Sequence, residues 1–469
     1  SSTGEMYTTE TLREENESYN FILDELGKIF PSEIVCNDKF TNNKKILKTI
    51  KNRINPYINV YDSMTTEKKD WESLIINHFN VSNLETLNLE GKMYSILSTG
   101  KLIEYLYETQ KDSLNHINQL EFYDSNEYMI LDINTRINLE IHETIMTREK
   151  KGALIWLLDR TSTAMGGRLL KSWLEQPLID INEIKKRQAI VQLLVDNIIL
   201  MDEIKGCLKK IYDLERLIGK ISYGNCNARD LFSLKISVSR IPELKKLLID
   251  SNKKEFLKLG MQIDTLEDVY ELLDKSIVDN PPISVREGGI IKLGYNKNLD
   301  ELKKASIEGK QWLANLELEE KKKTGIKNLK VGFNKKSGYY FEVTNSNLNL
   351  VPDYFIRKQT LTNSERYHTV ELKEIEHKIL GAEERIVDIE YNIFNEIRDK
   401  IKKQTNRIQR VSKLISKIDV LNSFSQVAYQ NNFVKPELNN DGIIEVVEGR
   451  HPVVEATIMD DRFVPNDTY

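Results

Sequence analysis

Isoleucines stand at positions 375, 379, 386, 389, 393, 397 and 401, at spacings of three, four or seven, and the apolar pattern continues towards Leu421 with no proline and only Gly381 as a breaker. Such spacing gathers one side of a helix into a stripe. A stripe sustained well beyond roughly 25 residues needs a helix too long for a globule, so an arm paired with another helix is expected. A partner is at hand. After the turn residues Asn280-Pro281-Pro282 and Gly288-Gly289, a second helical pattern runs from Leu299 to about Lys323. The stripe is read as packing, and its mechanical use is to carry motion or force over distance.

Between the two arms the texture changes. Leu329 to Asn334, a Lys335-Lys336-Ser337-Gly338 turn, and Tyr339 to Thr344 have the pattern of a β-hairpin closed by a glycine-containing loop. The segment from Lys321 to Lys373 holds nine Lys and two Arg against four acids, a balance of +7 in a chain whose net charge is −5. The basic charge is therefore concentrated at the tip. Lys335, Lys336, Arg357 and Lys358 supply cations that neutralise phosphates, and Gln359, Thr362 and Asn363 supply neutral donors that fix a backbone's position. This chemistry suits a grip on sugar-phosphate without base reading. Two other readings stand beside it: a solvated lysine-rich hairpin, and a helical scaffold with a coiled-coil arm whose basic tip meets an acidic protein.

At 469 residues the chain is long enough for two to four domains. From Leu131 to about Asn280 the pattern is helical, with Leu154, Leu157, Leu158, Leu169, Leu170, Trp173 and Leu174 at core spacing. The amino end reads as strand, helix, strand: Gly4 to Thr9, then Leu12 to Ile29 before Pro31, then Ile34-Val35-Cys36. That is the order of an α/β unit whose first strand has no partner before it. Residues 71 to 120 read as helices of mixed quality. From Phe433 the texture turns to β-formers, and about 35 residues are too few for a domain. Both ends, with no initiator methionine at the first, are expected to be cut from something longer.

Other chemistry is sparse. No apolar run approaches the roughly 18 residues of a membrane span. Cys36, Cys207 and Cys226 are odd in number and far apart, supporting neither a disulfide framework nor a zinc site, and a reducing, cytoplasmic setting is expected. None of the six histidines pairs with another at i and i+4; His451, between Arg450 and Pro452, is the one worth following. Ser98-Thr99-Gly100-Lys101-Leu102 fails as a phosphate loop, because Ser95 stands where the first glycine belongs and Leu102 where Ser or Thr belongs. No complete catalytic signature is present, so no enzyme activity is expected of this chain.

Several stretches together carry a specific resemblance. They are Ser2-Thr3-Gly4-Glu5-Met6-Tyr7-Thr8-Thr9, Leu131 to Glu140 (LDINTRINLE), Thr161 to Arg168 (TSTAMGGR), Ile356-Arg357-Lys358-Gln359-Thr360-Leu361, and Glu448 to Glu455 (EGRHPVVE). In this order, across nearly the whole chain, they resemble the MutS family of DNA mismatch-repair ATPases. The resemblance implies a multidomain, mainly α architecture. It comprises part of an α/β connector (1–115), a helical core and lever (116–298), a β-rich clamp with its ascending arm (299–373), descending lever helices (374–432) and the start of an ABC-type ATPase domain (433–469). The family's mismatch-reading domain and its phosphate loop fall outside such a stretch. Carried over residue by residue, Asn334, Lys335, Lys336, Arg357, Lys358, Thr362 and Asn363 match backbone-contacting positions of the clamp, and Phe463 matches the residue that stacks on adenine. For the parent protein the resemblance implies ATP and Mg as cofactors. It also implies a homodimer that encircles duplex DNA, becomes a sliding clamp and recruits a MutL-type partner. The Lys330 to Tyr367 stretch speaks against a clamp-less branch of the family.

Overall fold

The computed structural model describes residues 4–61, 70–109, 114, 117, 119–124, 128–334, 338–458 and 463–469. The protein is mainly helical. Strand β1 (Glu5–Thr8) is followed by α1 (Glu15–Ile29), β2 (Glu33–Cys36), α2 (Asp38–Asn42), α3 (Lys44–Arg53), β3 (Tyr57–Val60), α4 (Trp71–Phe79), α5 (Met93–Thr109) and β4 (Gln119–Phe122). A run of helices comes next: α6 (Ile133–Asn138), α7 (Leu154–Leu158), α8 (Ala164–Glu175), α9 (Ile181–Val195), α10 (Ile198–Leu208), α11 (Leu214–Tyr223), α12 (Ala228–Val238), α13 (Ile241–Asp250), α14 (Lys254–Gln262) and α15 (Glu267–Ser276). Helix α16 (Lys297–Thr324) leads into β5 (Lys330–Asn334), β6 (Gly338–Thr344), β7 (Ile356–Thr360) and β8 (Ser364–His368). The chain closes with α17 (Val370–Lys402), α18 (Thr405–Gln430), β9 (Val446–Gly449), α19 (Pro452–Thr457) and β10 (Asn466–Thr468). Two compact units result: one takes the residues up to Cys226, Ser233–Tyr270 and Ile401 onward, the other Asn227–Phe232 and Glu271–Lys400. No described helix is long and apolar enough to cross a membrane.

In the first unit the amino-terminal strands find partners that the sequence did not suggest. β1 pairs in parallel with β4, Met6 opposite Leu120, and β2 pairs in parallel with β3, Ile34 opposite Ile58. The reading of 71–120 as helices of mixed quality matches α4 and α5 and gives way only at β4, and β1 has its partner downstream. Four-residue strands carry too little alternation to be seen against neighbouring helices. Their apolar residues close a core in which Met6 and Leu120 meet Ile75, Leu89 and Ile103. Helix α18 is the hub of this unit, packing against α7, α8, α9, α10 and α11. The strands are tied to it as well: Lys413 Nζ lies 3.0 Å from Glu5, and Gln119 donates to the Gln409 side chain at 3.0 Å.

The isoleucine stripe predicts continuity towards Leu421, yet the helix stops at Lys402 and restarts at Thr405. The Thr405 hydroxyl donates to the Lys402 carbonyl at 2.6 Å, and Gln404 N–H donates to Ile401 C=O at 2.8 Å. These bonds satisfy carbonyls that a continuing helix would have used, a side-chain alternative that apolar periodicity does not register.

In the second unit α16 and α17 run antiparallel, joined by Lys303–Glu390 at 2.7 Å and Lys310–Glu383 at 2.9 Å. With 28 and 33 residues they extend about 42 and 50 Å. Gly309 lets them touch: a Cβ there would lie 2.7 Å from Ile379 Cγ1. Glu390, fully buried, also accepts the N–H groups of Gly289 and Ile290, so one carboxylate holds the loop, the start of α16 and α17 together. At the far end a four-stranded antiparallel sheet, ordered β5-β6-β8-β7, packs its Phe341, Val343 and Tyr367 on Leu313, Leu316, Leu372 and Ile375 of the helices.

Candidate nucleic-acid interface

The tip sheet packs one face on the helices, and its central strands are buried more heavily than simple alternation gives: Tyr340 and Phe341 are both buried on β6, and only Arg366 of β8 is not. On β6, Phe341 and Val343 point to the helices, and on β8 Tyr367 joins them, its ring 6.0 Å from Phe355. Carboxylates at the end of α16 pin the sheet. Glu317 accepts Val331 N–H at 2.9 Å, and the buried Glu320 accepts the Tyr354 hydroxyl at 2.7 Å. Burial, then the bond to Glu320, pushes the Tyr354 phenol up to about 12.

Strand β7 is the outer strand on one side, and all five of its residues, Ile356 to Thr360, are exposed. Arg357 stands opposite Tyr367 and Gln359 opposite Arg366, which leaves Lys358 in a bulge. Bulges re-aim side chains and are frequent at sheet edges. The Arg357 side chain is 65% exposed, with one guanidinium nitrogen 3.5 Å from Glu365, so most of its fork faces solvent. His368, at the end of β8, is held below its ordinary pKa by burial and then by the charges of Lys373 and Lys358.

Thr362 and Asn363 form the exposed bend between β7 and β8, closed by Leu361 N–H donating to Ser364 C=O at 2.8 Å. Asn345 steadies it: its side chain donates to Thr362 C=O at 3.1 Å and its N–H to Asn363 C=O at 3.2 Å. Nothing in the sequence pattern marked Asn345, although an Asn just after a strand is a common turn stabiliser.

The expected contact residues do not form one cluster. Arg357, Lys358, Thr362 and Asn363 share the β7–β8 hairpin. Asn334 ends β5, the opposite edge strand, paired with Gly338. Because Thr344, not Gly338, lies beside Ser364, Asn334 and Thr362 lie at opposite ends of the sheet. They are separated by about 20 Å along the strands and about 14 Å across them. Lys335 and Lys336 lie outside the described residues.

Two parts of the charge count also change meaning. Arg366 is laid over the Tyr340 ring at 4.2 Å and donates to Gln359 at 3.0 Å, with its side chain only 17% exposed. It is a packing cation, not a phosphate ligand. Lys321 and Lys323 pair with Glu317 and Glu320 at 2.6 and 3.1 Å, carboxylates just upstream of the counted window. The available basic charge is therefore smaller than the composition suggested, with Arg357 and Lys358 exposed on β7 and Lys327 and Lys330 exposed at and before β5.

The remaining candidates fall in the first unit. Ser98-Thr99-Gly100-Lys101 lies inside α5, with Gly100 against the Trp71 ring, where a Cβ would come within 2.6 Å. Its N–H groups serve the helix, so this segment does not fit a nucleotide's phosphates. His451 caps α19, its ring nitrogen accepting Val454 N–H at 3.3 Å. Phe463 is half-buried, three residues ahead of β10.

Comparison with known proteins agrees with this layout. The chain matches MutS domain II over residues 1–118 and MutS domain III over residues 134–425. It is similar to the DNA mismatch repair protein MutS of Alkaliphilus metalliredigens, 48% identical over 471 residues, covering all of this chain and 53% of the relative. The protein of that name from Caldanaerobacter subterraneus subsp. tengcongensis is 50% identical over 465 residues, covering 99% and 53%. That from Clostridium botulinum is 45% identical over 473 residues, covering 100% and 49%. The chain thus spans about half the length of the curated relatives it matches.

Proposed function

The chain belongs to the MutS family, and on that premise we propose that it serves DNA mismatch repair in the cytoplasm by gripping the duplex backbone without reading sequence. The observation that carries this reading is the fully exposed outer strand β7, which presents Arg357 and a bulged Lys358 beside the bend residues Thr362 and Asn363. Cations and neutral donors of this kind suit phosphates along a groove edge. Asn334, at the other end of the sheet, supplies a second contact, and Lys335 and Lys336, which follow it in sequence, add to the grip. Two contacts about 20 Å apart along the strands suit an extended polyanion better than a small anion. The long α16–α17 pair acts as the lever, and residues from Phe433 onward begin the ATPase domain, with Phe463 stacking on adenine. In the whole protein, ATP and Mg, a homodimer on DNA acting as a sliding clamp, and a MutL-type partner complete the cycle.

The test is fluorescence anisotropy of a perfect and a G·T-mismatched duplex titrated with the chain over a salt series. Salt-steep binding, equal for both duplexes, is expected. Arg357→Ala with Lys358→Ala should weaken binding alike for every sequence and flatten the log–log salt slope by roughly one to two units. A loss confined to certain sequences, or a mismatch preference, overturns the reading.

A further inference from the structure

We propose that the outer groove between α16 and α17, below the sheet, is a docking site for an arginine- and lysine-rich segment of a partner protein. Next to the close contact at Gly309 the helix pair opens into a groove of about 370 Å³. Helix α16 contributes Trp312, Leu316 and Glu319, and α17 contributes Glu371, Glu374 and Ile375. Trp312, Leu316 and Glu319 on α16, and Glu371, Glu374 or Ile375, and Lys378 on α17, stand three, four or seven residues apart, so one face of each helix lines the groove over about two turns, or 10 Å.

Leu316 and Ile375 form a buried apolar floor, while Trp312 is 54% exposed. An indole left open beside three carboxylates is a poor surface for an apolar partner and repels nucleic acid. It is a good one for a guanidinium, which lies flat on an indole and donates to carboxylates at once. The groove already holds one cation in this way: Lys378 Nζ is 5.6 Å from the Trp312 ring centroid. That distance is at the outer limit of a cation–π contact and leaves room for a closer cation. Lys323 is 3.9 Å from Glu319 but closer to Glu320, at 3.1 Å, and its charge also reaches Glu371, so it neutralises the groove carboxylates only in part. Glu371 and Glu374 are exposed. An incoming segment would set an arginine on Trp312 and further basic side chains on Glu371 and Glu374.

The probe is a short synthetic peptide of arginine, lysine and leucine, with a control in which glutamine replaces every basic residue. Tryptophan fluorescence of the full chain reports binding, and Trp312→Phe identifies the responding indole. Saturable quenching by the basic peptide alone is expected, lost in Trp312→Phe. Calorimetry should show affinity weakened about tenfold in Glu371→Gln with Glu374→Gln. Circular dichroism should be unchanged in that variant, and duplex binding should not weaken. Quenching that survives Trp312→Phe, affinity indifferent to the two glutamines, no saturation, or occupation of the groove by a second copy of the chain overturns the proposal.

Discussion

The tip sheet and helix α18 bury side chains equally well and by opposite chemistry. At the tip the core is Phe341, Val343, Tyr367, Leu316 and Ile375, apolar except for the Tyr367 hydroxyl, which donates to Glu365. Along α18, Gln409, Ser412, Ser416, Asp419, Asn422, Ser423, Ser425 and Gln426 are all buried, interleaved with Ile408, Ile415 and Leu421. Apolar burial is roughly proportional to area and tolerates exchange at constant volume. Polar burial is worth having when donors and acceptors meet, and is costly when one is removed. Asp419 shows the second kind. It accepts Ser162 N–H and Thr163 N–H, each at 2.8 Å, and the Thr163 hydroxyl at 2.6 Å, while that hydroxyl caps α8 by accepting Gly166 N–H at 3.0 Å. Gly166 is required there, since a Cβ would fall 2.2 Å from the Asp419 carboxylate. The tip's apolar core is held by shape, with Glu317 and the buried Glu320 pinning its margin, and the Asp419 site is held by a pattern of partners.

The sharpest way to break this contrast is Phe341→Ala. The ring is fully buried and stacked 5.2 Å from Phe355. Its loss is expected to cost about 4 kcal/mol, read by hydrogen exchange as deprotection of β5 to β8 with α18 unchanged. Deprotection spreading to α18 would mean that the two regions do not fold as distinct cores.

Asp419→Ala should cost about 3 kcal/mol, because two backbone donors and a hydroxyl lose their acceptor. Urea unfolding measures it, and the pH dependence sharpens it. Burial raises the Asp419 carboxyl above its ordinary value of 3.8. Its contribution to stability is therefore fully present below that value and is lost as pH rises through the folded value. Asp264 and Asp268, lowered chiefly by hydrogen bonds from Arg407, behave in reverse: their contribution is present above 3.8 and lost as pH falls. The alanine variant should keep the second dependence and lose the first. A variant with both intact would show that Asp419 does not titrate with folding.

The smallest effect is expected at Ser423, whose hydroxyl accepts Arg160 N–H and donates to Leu158 C=O, both at 2.7 Å. Ser423→Ala should cost about 1 kcal/mol in the same unfolding measurement. No change would show that water or a backbone shift replaces the bridge, placing this site closer to the tip's tolerant kind of packing.

Much of the second unit was legible because its signals are local. The isoleucine spacing and the helical pattern from Leu299 to about Lys323 lie within the helices that they specify. Charge concentration pointed to the tip, and Arg357, Lys358, Thr362 and Asn363 do share one hairpin. The distinction between the two arginines was not legible. Arg357 and Arg366 look alike in sequence, and cross-strand register alone sets Arg366 on Tyr340 and leaves Arg357 open. The pairing of Lys321 and Lys323 with Glu317 and Glu320 was not legible either, because both carboxylates lie upstream of the basic segment that begins at Lys321.

By itself, then, the sequence determined the helical character of the chain, the paired arms, the hairpin between them and the family, since periodicity, caps and motif order are properties of neighbours along the chain. Tertiary structure decided the pairing of β1 with β4 and of β2 with β3, the break at Lys403-Gln404, the polar hub at Asp419, and the separation of Asn334 from Thr362 by the length of a sheet. These depend on which distant groups are brought within hydrogen-bonding and packing distance, and such contacts are set by the whole fold rather than by any local run of residues.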